Sequence, residues 1–232
     1  MGYVDNEQEA VKKSLKGERK KLSQMTFGQK VEYILEYYKI HIIIGILIIG
    51  AIIWGVHHAM TYVQYKFYGM IINSSQYNEQ VADKMHDTLQ MSKHDGFNLS
   101  GDFYTDDNVN MGGYGNKLDI YVMTGQLDFA FTDEAGVKYL VDMGVVRDLK
   151  TTVPDKLLAD WTSEGRLYNV DVTDDDGVTG NYDVAVDISG TGIQEYFGLE
   201  DSIKYLMIAD LSGSEEYLNN FYELLYEIER GE

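Results

Sequence analysis

The hydrophobic pattern of the chain begins with one long apolar run. Residues 42–56 read IIIGILIIGAIIWGV and carry no charge. Fifteen residues are short for a membrane span, but the flanking residues extend the stretch to Ile40–Val63, which makes about 36 Å of helix. Aromatic residues of the kind that collect at membrane interfaces lie towards both ends: Tyr37, Tyr38, Trp54 and Tyr62. The pattern predicts one transmembrane helix over residues 40–63.

Two other interpretations of this run fit less well. A cleaved signal peptide has a short charged region, whereas 39 residues precede this stretch, and His57–Thr61 is a poor small-x-small cleavage site. A buried core helix does not need apolar residues on every face, as a lipid-exposed helix does. We therefore expect an uncleaved signal anchor.

The distribution of basic residues predicts the orientation of the span. The twenty residues before it contain Lys20, Lys21, Lys30 and Lys39, whereas the twenty after it contain only Lys66. By the positive-inside rule, the N-terminus lies in the cytoplasm and the C-terminal part lies outside the cell. The predicted location is the plasma membrane, crossed once.

The arm before the span, residues 1–39, has an amphipathic segment. Thr26 and Gln29 have the spacing of a helix capping box. Apolar residues then recur at helical spacing, at Phe27, Val31, Ile34, Leu35 and Tyr38. Such a helix either lies on the inner leaflet before the chain turns into the span, or continues straight into it, and the sequence favours neither arrangement.

After the span, extended and helical patterns alternate. Strands are predicted over Tyr65–Asn73, Phe97–Thr105 and Leu127–Thr132, and helices over Asn78–Met91, Asn116–Thr124 and Asp133–Met143. A polar, glycine-rich loop, Asp106–Gly115, separates the second strand from the second helix. This β-α-β-α-β order is typical of a parallel sheet with helical crossovers.

In the remaining residues, the predicted strands and helices no longer alternate regularly. The expected elements are an extended piece at Val145–Leu149, a helix at Lys156–Glu164, strands at Leu167–Thr173, Tyr182–Ile188 and Ile203–Ala209, and a final amphipathic helix at Ser214–Glu229 that Ser214 caps. The first two of these strands form a hairpin across Asp174–Gly177. The predicted fold class is therefore α/β: one transmembrane helix, then a single α/β lobe over residues 64–232 with a mainly parallel, mixed sheet.

Charge narrows the range of partners. The 232-residue chain has a net charge of −19. Residues 1–39 hold eight Lys/Arg and six Asp/Glu, so they carry +2 and the remainder carries −21. An acidic domain lacks the clustered cations that bind phosphate, so we expect no nucleic acid and no anionic lipid as a partner of the outer domain. The absence of Cys excludes disulfides, thiol catalysis and cysteine-bound zinc.

The sequence shows no catalytic signature and no strong metal signature. The five His residues are dispersed, and Asp174–Gly177 lacks the alternating ligand spacing of an EF-hand loop. Asp106, Asp107, Asn108 and Asn110 form a weak cation candidate. The glycine-rich segment at 112–115 lacks the Lys-Ser/Thr ending of a phosphate loop, and no Gly-x-Ser-x-Gly elbow is present. We expect a non-enzymatic domain without metal or cofactor.

Two stretches resemble a known family. Residues 118–132, LDIYVMTGQLDFAFT, and residues 139–149, YLVDMGVVRDL, resemble part of the extracellular solute-binding proteins of the type II periplasmic-binding fold. The helix at Ser214–Glu229 resembles the one that closes a lobe in that family. The arm, with Tyr33, Tyr37–Lys39 and His41 leading into the span, resembles that of single-pass Firmicutes membrane proteins of unassigned function. The resemblance implies one lobe of a binding protein.

A lobe of that kind would place ligands beyond the carboxyl ends of its parallel strands. The polar residues that follow the three predicted strands are Asn73, Ser74 and Ser75, then Tyr104 and Thr105, and finally Thr132 and Asp133. We predict these seven as ligand-binding residues. The alternative is that they are cap and turn residues, with Asp133 capping its helix and Ser74 and Ser75 forming a turn.

Two functions remain open from the sequence. The first is a membrane-anchored, solute-binding-like domain that lies outside the cell and binds a small solute there. The second is an accessory or interaction subunit of an envelope complex that uses the lobe as a scaffold. Ala51 and Gly55 have the small-xxx-small spacing of helix pairs, so a homodimer through the span also remains open.

Overall fold

The structure is a computed structural model, which describes residues 17, 20, 23–105, 117–145, 147–173 and 179–231. The chain divides into two compact units, Met1–Tyr62 and Val63–Glu232. The predicted loop at Asp106–Gly115, with its weak cation candidate, and the predicted turn at Asp174–Gly177 lie outside the described residues.

The described residues of the first unit include one long continuous helix. Helix α1 runs over Phe27–Thr61, and the side-chain oxygen of Gln29 accepts a hydrogen bond from the backbone N–H of Thr26 at 3.0 Å, as in a capping box. Its stretch Tyr38–Thr61 is long and apolar enough to cross a membrane. The amphipathic segment therefore continues into the apolar stretch without a turn. The helix ends two residues before the predicted end of the span, because Tyr62 is already extended.

The second unit contains six strands and seven helices within the described residues. They are β1 (Gln64–Ile72), α2 (Glu79–Thr88), β2 (Asp95–Phe103), α3 (Lys117–Met123), β3 (Phe129–Thr132), α4 (Glu134–Asp142), α5 (Leu149–Thr152), α6 (Asp155–Ser163), β4 (Leu167–Thr173), β5 (Thr179–Asp187), α7 (Gly192–Phe197), β6 (Tyr205–Ile208) and α8 (Glu215–Arg230). The predicted mixture of helices and strands is confirmed.

The strands form a single mixed sheet in the order β2-β1-β3-β6-β5-β4. β1 pairs in parallel with β2 and with β3, whereas β6 is antiparallel to both β3 and β5, and β4 is antiparallel to β5. Four strands thus run in one direction, and β4 and β6 run in the other. The predicted parallel β-α-β-α-β half and the predicted antiparallel pairing of β4 with β5 are both observed.

Successive residues of the central strands enter two separate cores, because side chains alternate between the faces of a sheet. Phe129 and Phe131 of β3 face one core, which α2, α6, α7 and α8 cover. Ala130 faces the other core, which α3 and α4 cover. Both faces are therefore buried, which explains why these strands are apolar throughout rather than alternating with polar residues.

The first core is built around stacked aromatic rings. The rings of Phe129 and Phe221 lie 4.1 Å apart, and the ring of Phe67 lies 5.5 Å from that of Phe129. Gly69 of β1 leaves room for this stack, since a Cβ there would overlap the Phe129 ring. The core thus depends on the absence of a side chain at one position of β1.

The second half differs from its predicted elements in two places. The predicted extended piece at Val145–Leu149 is wrong at its last residue, because Leu149 begins α5, while Asp148 is extended. The Asp148 carboxylate caps the first turn of α5, at 3.1 Å from the N–H of Lys150. Helix α7 was not predicted, since six residues are too few to show a helical period. Gly198 ends it in the left-handed conformation, at φ 64°.

Candidate functional site

The order of the strands creates a switch point at the carboxyl end of β1. The chain leaves β1 through α2, which packs on one face of the sheet, and leaves β3 through α4, which packs on the other. β1 and β3 are neighbours, so the two connections diverge between them. Ligands of open α/β sheets bind at switch points of this kind.

Asn73 joins the ends of three strands at this switch point. Its Nδ2 donates to Oδ1 of Asp133 at 2.8 Å. Its Oδ1 accepts from the backbone N–H of Thr105 at 2.9 Å and from the Thr105 hydroxyl at 3.1 Å. Asn73 has a left-handed backbone, with φ 67°, which Asn tolerates better than most residues. Three of the seven predicted residues are therefore brought together here.

Asp133 has two roles in this network. Its Oδ1 also accepts from the N–H of Gly136 at 2.9 Å, so Asp133 is the N-cap of α4. Its Oδ2 makes no hydrogen bond to any of the described residues. The cap that the sequence suggested is confirmed, and one carboxylate oxygen stays available to a hydrogen-bond donor.

Ser74 and Ser75 form the turn after β1. Ser74 is buried, and its hydroxyl oxygen accepts from the N–H of Gln76 at 3.1 Å. Ser75 is exposed, and a Cβ at Gly101 would lie 3.0 Å from its Cα. These contacts fit the turn interpretation of the two serines, and only Ser75 reaches the surface.

Thr132 and Tyr104 complete the predicted set. Thr132 is fully buried, and its Oγ1 has no hydrogen-bond partner among the described residues. That oxygen lies against the first turn of α4, because a Cβ at Gly136 would overlap it. Tyr104 is half-buried directly after β2. Thr132 thus lies beneath the helix, outside the Asn73 network.

A shallow depression continues the same edge of the sheet. It has a volume of about 330 Å³, and its lining includes Gln76, Thr191, Gln194, Glu195 and Asp201. Gln76 follows β1 and Thr191 follows β5, two strands whose carboxyl ends lie at one edge. Because these residues belong to a region whose helix was not predicted, sequence reasoning missed the depression.

Gln194 forms the rigid wall of the depression. Its Oε1 accepts from the N–H of Gly190 at 2.8 Å, and its Nε2 donates to the carbonyl of Ile203 at 3.0 Å and to that of Glu200 at 3.2 Å. Its side-chain oxygen and nitrogen are thus both engaged within the protein. The groups left for a ligand include the carboxylates of Glu195 and Asp201 and the side-chain amide of Gln76.

A scan against models of protein families, a search of curated proteins and a search of solved structures each found no match. The part of the chain that the structure describes holds no group of three or more His, Asp or Glu side chains arranged around a metal position. The geometry of the carboxyl edge is therefore the basis for a functional assignment.

Proposed function

We propose that this protein is a membrane-anchored binding module whose Val63–Glu232 unit lies outside the cell and binds a small polar solute. The observation that carries the proposal is the convergence of Asn73, Thr105 and Asp133 at the switch point. Side chains that follow three different strands meet there within hydrogen-bond distance. Such convergence at the carboxyl edge is what a ligand site in an open α/β sheet requires.

The free groups at this edge favour a ligand that donates hydrogen bonds. Asp133 Oδ2 can accept from a hydroxyl or an ammonium group, and one hydrogen of Asn73 Nδ2 can donate. Glu195 and Asp201 add acceptors in the neighbouring depression. With an outer domain of charge −21, by the count above, a neutral or cationic solute is favoured over a phosphorylated one.

A binding role is proposed rather than an enzymatic one. Catalysis by a side-chain nucleophile needs a base within hydrogen-bond reach of that nucleophile. Ser74 Oγ is engaged with the backbone of Gln76, and Thr105 Oγ1 with the Asn73 amide. Within the described residues, neither of these two hydroxyls is hydrogen-bonded to such a base.

The anchor and its orientation belong to the same proposal. Helix α1 would cross the plasma membrane with the N-terminus in the cytoplasm, as the excess of lysines before the apolar stretch indicates. Protease added to intact cells is expected to digest the Val63–Glu232 unit and to spare the arm. Protection of that unit, with digestion of the arm, would contradict this orientation.

The binding claim is tested by thermal unfolding of the full chain in nanodiscs. A W54F variant leaves Trp161, which is fully buried in the first core, as the single tryptophan reporter. Sugars, amino acids, short peptides and Ca²⁺ are added in turn. A binding solute raises the midpoint because ligand stabilises the folded state, by about 2.7 kcal/mol at one hundred times Kd. No shift with any class would contradict the proposal.

A second function, as an accessory subunit that binds another envelope protein, is favoured by helix α3. Its Ile120 and Met123 side chains are 52% and 83% exposed. Contiguous exposed apolar surface marks protein contact sites, and these two side chains are neighbours on one face of the helix, three residues apart. In this cysteine-free chain, a photo-crosslinker attached at M123C is expected to react with a neighbouring protein in membranes, whereas one at T151C, on the exposed face of α5, is not. Equal reaction at both positions would contradict this function.

A further inference from the structure

Asp128 is a buried carboxylate at the amino ends of the parallel strands, whereas the candidate ligand site lies at their carboxyl ends. It immediately precedes β3 and is 0% exposed. Its Oδ2 accepts from the N–H of Tyr68 in β1 at 2.8 Å, and its Oδ1 accepts from the N–H of Ser212 at 2.9 Å. One side chain therefore connects three segments that are far apart in sequence.

The segment 209–214, between β6 and α8, is held through this residue. The carbonyl of Asp128 accepts from the N–H of Ala209 at 2.8 Å and from that of Asp210 at 3.0 Å. The hydroxyls of Ser212 and Ser214 both donate to the carbonyl of Lys66, at 2.9 and 2.7 Å. Lys66 belongs to the first half of β1, so the segment is attached to β1 as well as to Asp128.

The surroundings of Asp128 contain no counter-cation among the described residues. From β1 it faces Tyr68, and from the segment 209–214 it faces Asp210, whose charge repels its own. Arg147 and Glu215 are close enough to affect Asp210, with opposite effects on its ionisation. None of the ion pairs among the described residues includes Asp128. A fully buried carboxylate without a cation is costly in its charged form.

The neighbourhood of Asp128 contains a further unsatisfied group. Asp210 has a left-handed backbone, with φ 49°, and its Oδ1 is buried without a hydrogen-bond partner among the described residues. The buried hydroxyl of Tyr222 in α8 is close enough to Asp210 for the charge of Asp210 to raise the pKa of Tyr222. Strain and unpaired polar atoms lower the stability of a segment locally. We therefore expect the segment 209–214 to be the part of this region that moves away from β1.

We propose that Asp128 and the segment 209–214 form a proton-operated latch, which is held closed against β1 when Asp128 is protonated and loosens when it loses its proton. Opening would expose the carboxylate to water and remove the repulsion from Asp210. This latch is independent of the proposed ligand site, which lies at the carboxyl ends of the parallel strands.

The direction of the pH response follows from ionisation. Burial raises the pKa of Asp128 to about 6, and the hydrogen bonds from Ser212 and Tyr68 offset part of that increase. In the open state the carboxyl returns to its ordinary pKa near 4. The closed state therefore binds the proton more tightly, so the opening constant rises about tenfold per pH unit between pH 4 and 6 and levels off above.

The experiment compares backbone amide exchange at pH 4.5 and pH 6.5 in the full chain in nanodiscs. Protection factors, which correct for the pH dependence of intrinsic exchange, are measured for Tyr68 and Ser212. The control is the Gly190 amide, which donates to the uncharged Gln194 side chain at 2.8 Å. We expect the protection of Tyr68 and Ser212 to fall more than tenfold at the higher pH, while Gly190 stays constant. Equal protection at both pH values would overturn the proposal.

Two further measurements separate the latch from a general loss of stability. A ¹³C NMR titration of the Asp128 carboxyl in the unmodified chain should give a midpoint well above 4, and a midpoint below 4 would overturn the proposal. In D210N, which removes the repelling charge without removing an acceptor from Tyr68 or Ser212, that midpoint should move down. An unchanged midpoint would contradict the role of Asp210.

Discussion

At the scale of single residues, a few side chains at strand ends determine how the sheet is joined to its helices. Asn73 has a left-handed backbone, and its side chain bridges Thr105 and Asp133 by hydrogen bonds. Its amide was predicted as a ligand group, and the structure shows it connecting β1 to the residues after β2 and β3. A sequence pattern shows that a polar residue follows a strand, but the bridge depends on strand order, which is a property of the folded sheet.

Two replacements of Asn73 distinguish the cost of its left-handed backbone from the contribution of its side-chain hydrogen bonds. N73A loses the hydrogen bonds and retains an unfavourable φ, so we expect it to lower the free energy of unfolding by about 2–3 kcal/mol. N73G loses the same bonds but tolerates φ 67°, so it should be more stable than N73A by about 1 kcal/mol. Denaturant unfolding followed by Trp161 fluorescence measures both, and equal stability of the two variants would contradict the strain.

The glycine under the aromatic stack gives a second residue-scale prediction. G69A places a methyl group in the space of the Phe129 ring and 2.9 Å from Leu99 Cδ1. Overpacking of this kind lowers the free energy of unfolding by about 1–3 kcal/mol. The matched control is G28A, where a Cβ meets nothing within 4 Å in helix α1. The midpoint of thermal unfolding of the Val63–Glu232 unit should fall in G69A and stay the same in G28A.

At the scale of elements, the longer periodic segments were predictable, whereas the short helices α5 and α7 were not. Helices α2, α4 and α8 follow from apolar periodicity and from polar residues at their N-termini. Ser214 occupies the predicted N-cap position of α8, yet its hydroxyl donates to the carbonyl of Lys66 in β1 and accepts no cap hydrogen bond from the first turn of its own helix. A hydrogen bond to a distant strand thus takes the place of the local cap, and the apolar periodicity of a helix contains no information about such a bond.

Helix α8 is fixed to the sheet by an ion pair that allows an element-scale prediction. Arg166, just before β4, pairs with Glu229 of α8 at 2.8 Å, and both side chains are less than 20% exposed. It also pairs at 2.9 Å with Glu164, which is 55% exposed. E229Q should lower the free energy of unfolding by about 1–3 kcal/mol, because it removes the charge of the more buried of the two carboxylates that pair with a largely buried guanidinium. E164Q should cost less than about 1 kcal/mol, and a larger loss in E164Q would contradict this ranking.

At the scale of the whole molecule, composition and apolar length predicted an apolar anchor helix followed by an acidic α/β unit. The site was predictable only in part. The rule that ligands lie beyond parallel strands identified Asn73, Thr105 and Asp133, but it also selected Thr132, which the structure places beneath α4. Asp128 was not identified, because its partners lie 60 and 84 residues away and a single Asp beside a strand has no local signal.

The most direct test of the proposed function compares two cap substitutions, using whichever solute shifts the unfolding midpoint most. D133N keeps an N-cap oxygen but replaces the free carboxylate oxygen of Asp133 with an amide group. D148N makes the same change at the cap of α5, away from the carboxyl edge. The account predicts at least a tenfold loss of affinity in D133N and an unchanged affinity in D148N. The absence of a shift with every solute, or equal affinity in both variants, would contradict it.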